Sequence, residues 1–147
     1  MKISLKIILN TILAYIMAIF ALTMPCEPNN VTLTFEPVTT ESTSVIFTYK
    51  NETNRTLLND VKLSSFEKKI DGEWVKMPFT ADIKPAAYRR IHTSSTLKRI
   101  NINSYFGVDF LEAGEYRVTV VYEISDLTEN KILNGETSAT FTVTEAE

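Results

Sequence analysis

The sequence predicts an all-β fold, an antiparallel β-sandwich of about seven strands preceded by an N-terminal helix. Apolar and polar residues alternate with period two in one segment after another from Val31 onward. The turn-forming dipeptides Asp71-Gly72 and Asn134-Gly135 punctuate that alternation. A single apolar stretch, led by Lys2 and Lys6, comes before all of it.

The first element is that stretch. From Ile7 to Met24, eighteen residues interrupted by Asn10 and Thr11 run to Pro25 without a charge. A basic flank followed by an apolar core is the layout of a secretory signal peptide, and Ala21 gives the nearest fit to a cleavage site. The rival is an uncleaved anchor, because eighteen residues reach the short end of the roughly 17–25 that span a bilayer core. The lysines would then hold the N-terminus in the cytoplasm. Lipidation at Cys26 is a third possibility, but Thr23-Met24-Pro25 lacks the leucine and small residues that precede a lipidated bacterial cysteine. Residues 1–24 are therefore assigned to a signal peptide or uncleaved membrane anchor, 25–30 to a linker and 31–144 to the sandwich.

The strands follow. Val31, Leu33 and Phe35 alternate with Thr32, Thr34 and Glu36, and Val45, Phe47 and Tyr49 repeat the pattern. Between Val61 and Ile70 the apolar parity shifts from Leu63 to Phe66, which predicts a β-bulge. Asp71-Gly72 then turns the chain into a second arm carrying Trp74. Leu97 to Ile102 gives another strand. Tyr116, Val118, Val120, Tyr122 and Ile124 form the longest alternation, and Ala139, Phe141 and Val143 form the last. Asn134-Gly135 is expected in the final connection. An excess of Thr, Val and Ile disfavours helix outside the leader.

Leu111-Glu112-Ala113-Gly114-Glu115-Tyr116-Arg117-Val118 places a tyrosine after a glycine turn, two residues before an inward position on the long strand. This is the spacing of the tyrosine corner of immunoglobulin-like sandwiches, in which the phenol bonds back to the preceding loop. Together with Tyr49-Lys50-Asn51-Glu52-Thr53 and Phe66-Glu67-Lys68-Lys69 leading into Asp71-Gly72-Glu73-Trp74-Val75, it resembles a bacterial immunoglobulin-like domain family of secreted and envelope proteins of Gram-positive bacteria. The resemblance covers about Val31 to Thr144. It implies an extracytoplasmic immunoglobulin-like sandwich, secreted or at the cell surface, with Gly72, Trp74, Gly114 and Tyr116 in structural roles, and no catalytic residues to transfer.

Composition removes most chemistry. Four glycines against nineteen threonines leave no phosphate-cradling loop, and one histidine (His92) with one cysteine leaves no metal site, disulfide framework or histidine-based triad. Asp71 and Glu73 read as solvated turn residues rather than an acid and base. Trp74 beside Met77 reads as core or an edge clamp, with core favoured, rather than as a ligand platform. The sequons at Asn30, Asn51 and Asn54 are the chance background of a Thr- and Asn-rich chain. No enzyme, cofactor or metal is expected.

Charge is more informative. Without Lys2 and Lys6, 13 basic residues face 18 acidic ones, a net −5. Yet Ile83 to Val108 holds Lys84, Arg89, Arg90, Lys98 and Arg99 and no acid, so this segment is +5 within a −10 remainder. Such a strip attracts anionic partners over about 8 Å at physiological salt. The expectation is a non-catalytic binding module that contacts a protein or an anionic envelope polymer through a sheet edge, loops or this basic segment. Nucleic acid is not expected, since the mature chain is acidic and, Tyr88 and Tyr105 excepted, lacks interleaved stacking aromatics there. Contact with a membrane is expected only through the N-terminal segment. The alternative is a secreted proteinase inhibitor using Pro78 to Ser95 and Ser125 to Gly135 as loops.

Overall fold

Each strand from Val31 on has one apolar face to bury, and the chain resolves this by stacking two sheets. The computed structural model describes residues 5–23, 30–53, 55–58, 61–80, 95–126 and 130–147. In order these form α1 (Leu5–Thr23), β1 (Val31–Phe35), β2 (Val38–Thr39), β3 (Ser44–Asn51), β4 (Thr56–Leu57), β5 (Lys62–Ile70) and β6 (Glu73–Lys76). Then come β7 (Ser95–Asn101), α2 (Ile102–Phe106), β8 (Gly114–Asp126) and β9 (Lys131–Thr144). The smaller sheet runs β1-β3-β7 and the larger β2-β9-β8-β5-β6, with β4 also on β8. Among the described residues β2 pairs in parallel with β9 and the other pairs are antiparallel.

This is the predicted immunoglobulin-like sandwich with its N-terminal helix. The described apolar side chains of α1, from Ile7 to Ile19, are exposed. Among the described residues no helix is long and apolar enough to cross a membrane. One path supplies both sheets: the Glu36 N–H still bonds the Ile46 carbonyl at 3.0 Å, and Pro37, with no N–H, ends that pairing before β2 joins β9.

The alternating residues meet in one core. Val45, Phe47 and Tyr49 of β3 face Tyr116, Val118, Val120, Tyr122 and Ile124 of β8, and all are buried. Phe66 sits among Phe106, Tyr116 and Phe141 at centroid distances of 4.6, 5.7 and 5.9 Å. Truncating such a ring costs about 3–5 kcal/mol. The β5–β8 register shifts between Leu63 and Ser65, so the bulge returns both Leu63 and Phe66 to the core side.

Two expectations need correction. The strand expected to reach Ile102 ends at Asn101, whose side-chain oxygen accepts the Ser104 N–H at 2.9 Å and caps α2. Asn134-Gly135 is not a turn: it lies inside β9, with Gly135 buried opposite Tyr122. The chain reverses between Asp126 and Lys131, where Asn130 has φ 50°. An unbroken β8–β9 ladder from Gly114 to Asp126 fixes that register, and a local turn preference cannot interrupt it. Ser125, Asp126 and residues 131–135 therefore belong to the hairpin arms.

Candidate functional site

The basic segment does not form one strip among the described residues. Lys84, Arg89 and Arg90, like His92 and Cys26, lie outside them. Lys98 and Arg99 are neighbours on β7, so they point to opposite faces of the sheet. Lys98 is half-buried opposite the core residue Phe47, whereas Arg99 is exposed opposite Ile46 on the outer face.

Trp74 is not in the core. It stands across from Lys69 at the β5–β6 edge, half-buried on the outer face of the larger sheet. The Arg117 guanidinium lies 4.6 Å from its ring centroid and Lys69 Nζ 5.7 Å away. Arg117 also bonds Glu67 and Lys69 bonds Glu115, each at 2.6 Å. Two cations contact the ring, so it clamps the β5–β6 edge rather than offering a bare platform. Met77, three residues on, packs against the core instead. Strand alternation separates this pair, which the sequence reading had considered together.

Tyr116 makes the corner bond. Its hydroxyl donates to the Glu112 carbonyl at 2.8 Å, and burial pushes the phenol above its ordinary pKa. Lys68, beneath it, forms an ion pair with the Glu112 carboxylate, and its Nζ is 5.9 Å from the Tyr116 ring centroid. The Glu112 hydrogen bond raises the Lys68 pKa, and the same bond lowers that of Glu112. At the start of the loop, the Gly107 N–H bonds the Asn103 carbonyl at 2.8 Å and the Asn103 amide bonds Asp109 at 2.9 Å. The connection from Gly107 to Ala113 is thus tied down at both ends.

On that connection Val108 and Phe110 are 41% and 49% exposed, and on the β5–β6 hairpin Ile70 and Val75 are 47% and 46% exposed. Val75 lies directly opposite Lys68 and Ile70 two residues beyond it on the same face, so the Lys68–Glu112 pair joins the two groups. Among the described residues the larger sheet extends to β5 and β6, whereas the smaller ends at β7. Sequence reasoning did not single out these apolar side chains. The available signal was Val108, Phe110 and Leu111, interrupted by Asp109, between Gly107 and Gly114 and outside the predicted strands.

The sequons are settled in part. Asn51 is buried, with its amide donating to the Arg55 carbonyl at 2.9 Å, and Asn54 lies outside the described residues. Asp71 and Glu73 are exposed at the hairpin turn. No cluster of three or more His, Cys, Asp or Glu side chains placed for a metal occurs among the described residues. A family model described as a bacterial Ig-like domain matches residues 27–142. No curated protein and no solved structure matches significantly.

Proposed function

The chain belongs to the bacterial Ig-like domain family, and from that membership we propose a non-catalytic, extracytoplasmic module that binds a protein partner through one end of its sandwich. Domains of this family are generally non-catalytic and often extracellular. Because one fold serves many functions, the site itself must supply the rest. What supports binding is the group of exposed apolar side chains, Ile70, Val75, Val108 and Phe110, on a hairpin and a loop joined by the Lys68–Glu112 pair. Side chains presented on a tied loop lose little entropy on binding. What supports export is the lysine-led apolar segment ahead of the domain.

Cell fractionation with intact-mass measurement tests the export half. The expected species is the chain from Leu22 to Glu147 outside the cytoplasm. Recovery of the full chain in the cytosol would overturn it.

A further inference from the structure

Among the described residues outside α1, Ile70, Val75, Val108 and Phe110 are exposed apolar side chains on the two segments that the Lys68–Glu112 pair joins, and acidic residues stand beside them. On the same face as Ile70 and Val75, Glu73 stands across from Ile70 and Asp71 is at the turn. Asp109 sits between Val108 and Phe110, and Glu112 follows two residues later. Among the described residues the base on this side is Lys68, already paired with Glu112. Lys69 and Lys76 belong to the opposite, Trp74 face, as their register with Trp74 and Glu67 shows. Among the described residues the surface is therefore an apolar patch with an acidic border.

We propose that this patch docks a cationic, apolar segment of a partner protein, its apolar side chains on Val75 and Phe110 and its Lys or Arg residues against Asp71, Glu73 and Asp109. The proposal rests on the binding role proposed above and names the partner's chemistry. Charge complementarity decides the occupant: an acidic or phosphate-bearing polymer would meet like charge along this border, whereas a basic segment is steered toward it. The apolar contacts then supply the affinity, since clustered anchors carry most of the energy of an interface. This is the reverse of the anionic partner expected from the basic residues of the chain.

The test uses the full chain in detergent solution and three synthetic peptides: Leu alternating with Lys, Leu alternating with Glu, and Ser alternating with Lys. Binding is followed by amide chemical shifts. The Leu/Lys peptide is expected to bind, shifting residues 70–75 and 108–112, and the other two to bind at least tenfold more weakly. Val75→Ser with Phe110→Ser, and separately Asp71→Asn with Glu73→Gln, which keeps a residue suited to the positive φ of the turn, should each weaken Leu/Lys binding about tenfold, with unchanged thermal unfolding. Equal binding of all three peptides, shifts confined to other residues, or affinity unaffected by either double variant would overturn the proposal. So would concentration-dependent dimerisation abolished by Phe110→Ser, which would assign the patch to a second copy. Failure here with the chain still recovered outside the cell would leave the export reading standing.

Discussion

Arg117 Nε lies 2.6 Å from Glu67 Oε2 across the β5–β8 pair, and the Glu67 side chain is only 8% exposed. A carboxylate this deep on the outer face of a sheet is covered by its own partners: Arg117 binds it and also lies over Trp74. The three residues hold the β5–β6 edge, on whose other face Ile70 and Val75 are presented.

Arg117→Met keeps the stem of the side chain and removes the guanidinium. It leaves Glu67 shielded without its ionic partner, and the expected loss is about 2–3 kcal/mol. Urea denaturation measures it. A loss below about 0.5 kcal/mol would class the pair with ordinary surface salt bridges.

Tyr116→Phe removes one hydroxyl and no packing. The phenol is buried and its bond to the Glu112 carbonyl is 2.8 Å, so about 1–2 kcal/mol should be lost. The loosened loop should also show faster amide exchange at Val108 to Leu111, while the β8–β9 ladder stays protected.

Asn51→Ala opens a buried polar knot. Asn51 Oδ1 accepts from the Thr53 N–H at 3.1 Å and from the Thr53 hydroxyl at 2.5 Å, while its amide serves the Arg55 carbonyl. Thr53 is buried too, so its hydroxyl loses an acceptor. The expected cost is about 2–4 kcal/mol, read by thermal unfolding.

The sandwich was legible because its strands each bury one face, and period-two alternation records that directly. The bulge at Leu63 to Ser65 was legible for the same reason, as a break in parity. Helix α2 was not, since five residues are too few to show a helical period. Asn134-Gly135 misled because turn chemistry is local while β9 register is set along its length by β8. For the basic segment, a count of charges along the chain does not register that Lys98 and Arg99 diverge on a strand, and Lys84, Arg89 and Arg90 lie outside the described residues. The apolar end was hidden because its members come from β5, β6 and the loop before β8, which only the Lys68–Glu112 pair brings together.

The Lys68–Glu112–Tyr116 group predicts opposite effects at the two ends of the pH range. Glu112 is held below its ordinary 4.5 by the Lys68 hydrogen bond, so its contribution is present above that value and is lost as pH falls through its folded pKa. Glu52, held down by Lys50, acts in the same direction, so Glu112→Gln should flatten only part of the acid limb. Lys68 is raised above 10.5 by Glu112, and Tyr116 above 10.0 by burial. Both contributions are present below those values and lost as pH climbs past them. Tyr116→Phe should remove part of the alkaline loss and leave the acid limb unchanged. The measurement is unfolding midpoint against pH for the three proteins.

Gly114→Ala tests the backbone of the same corner. Gly114 has φ 145°, a conformation that side-chain-bearing L residues rarely adopt. An added Cβ would lie 3.5 Å from Lys68 Cε, an ordinary contact, so the cost should come from the backbone rather than from crowding. About 1–3 kcal/mol of stability should be lost. If crowding were the cause instead, shortening the neighbour in the double variant Gly114→Ala with Lys68→Ala would recover the loss. Backbone strain predicts that it does not, because no side chain near the corner can change what φ 145° demands.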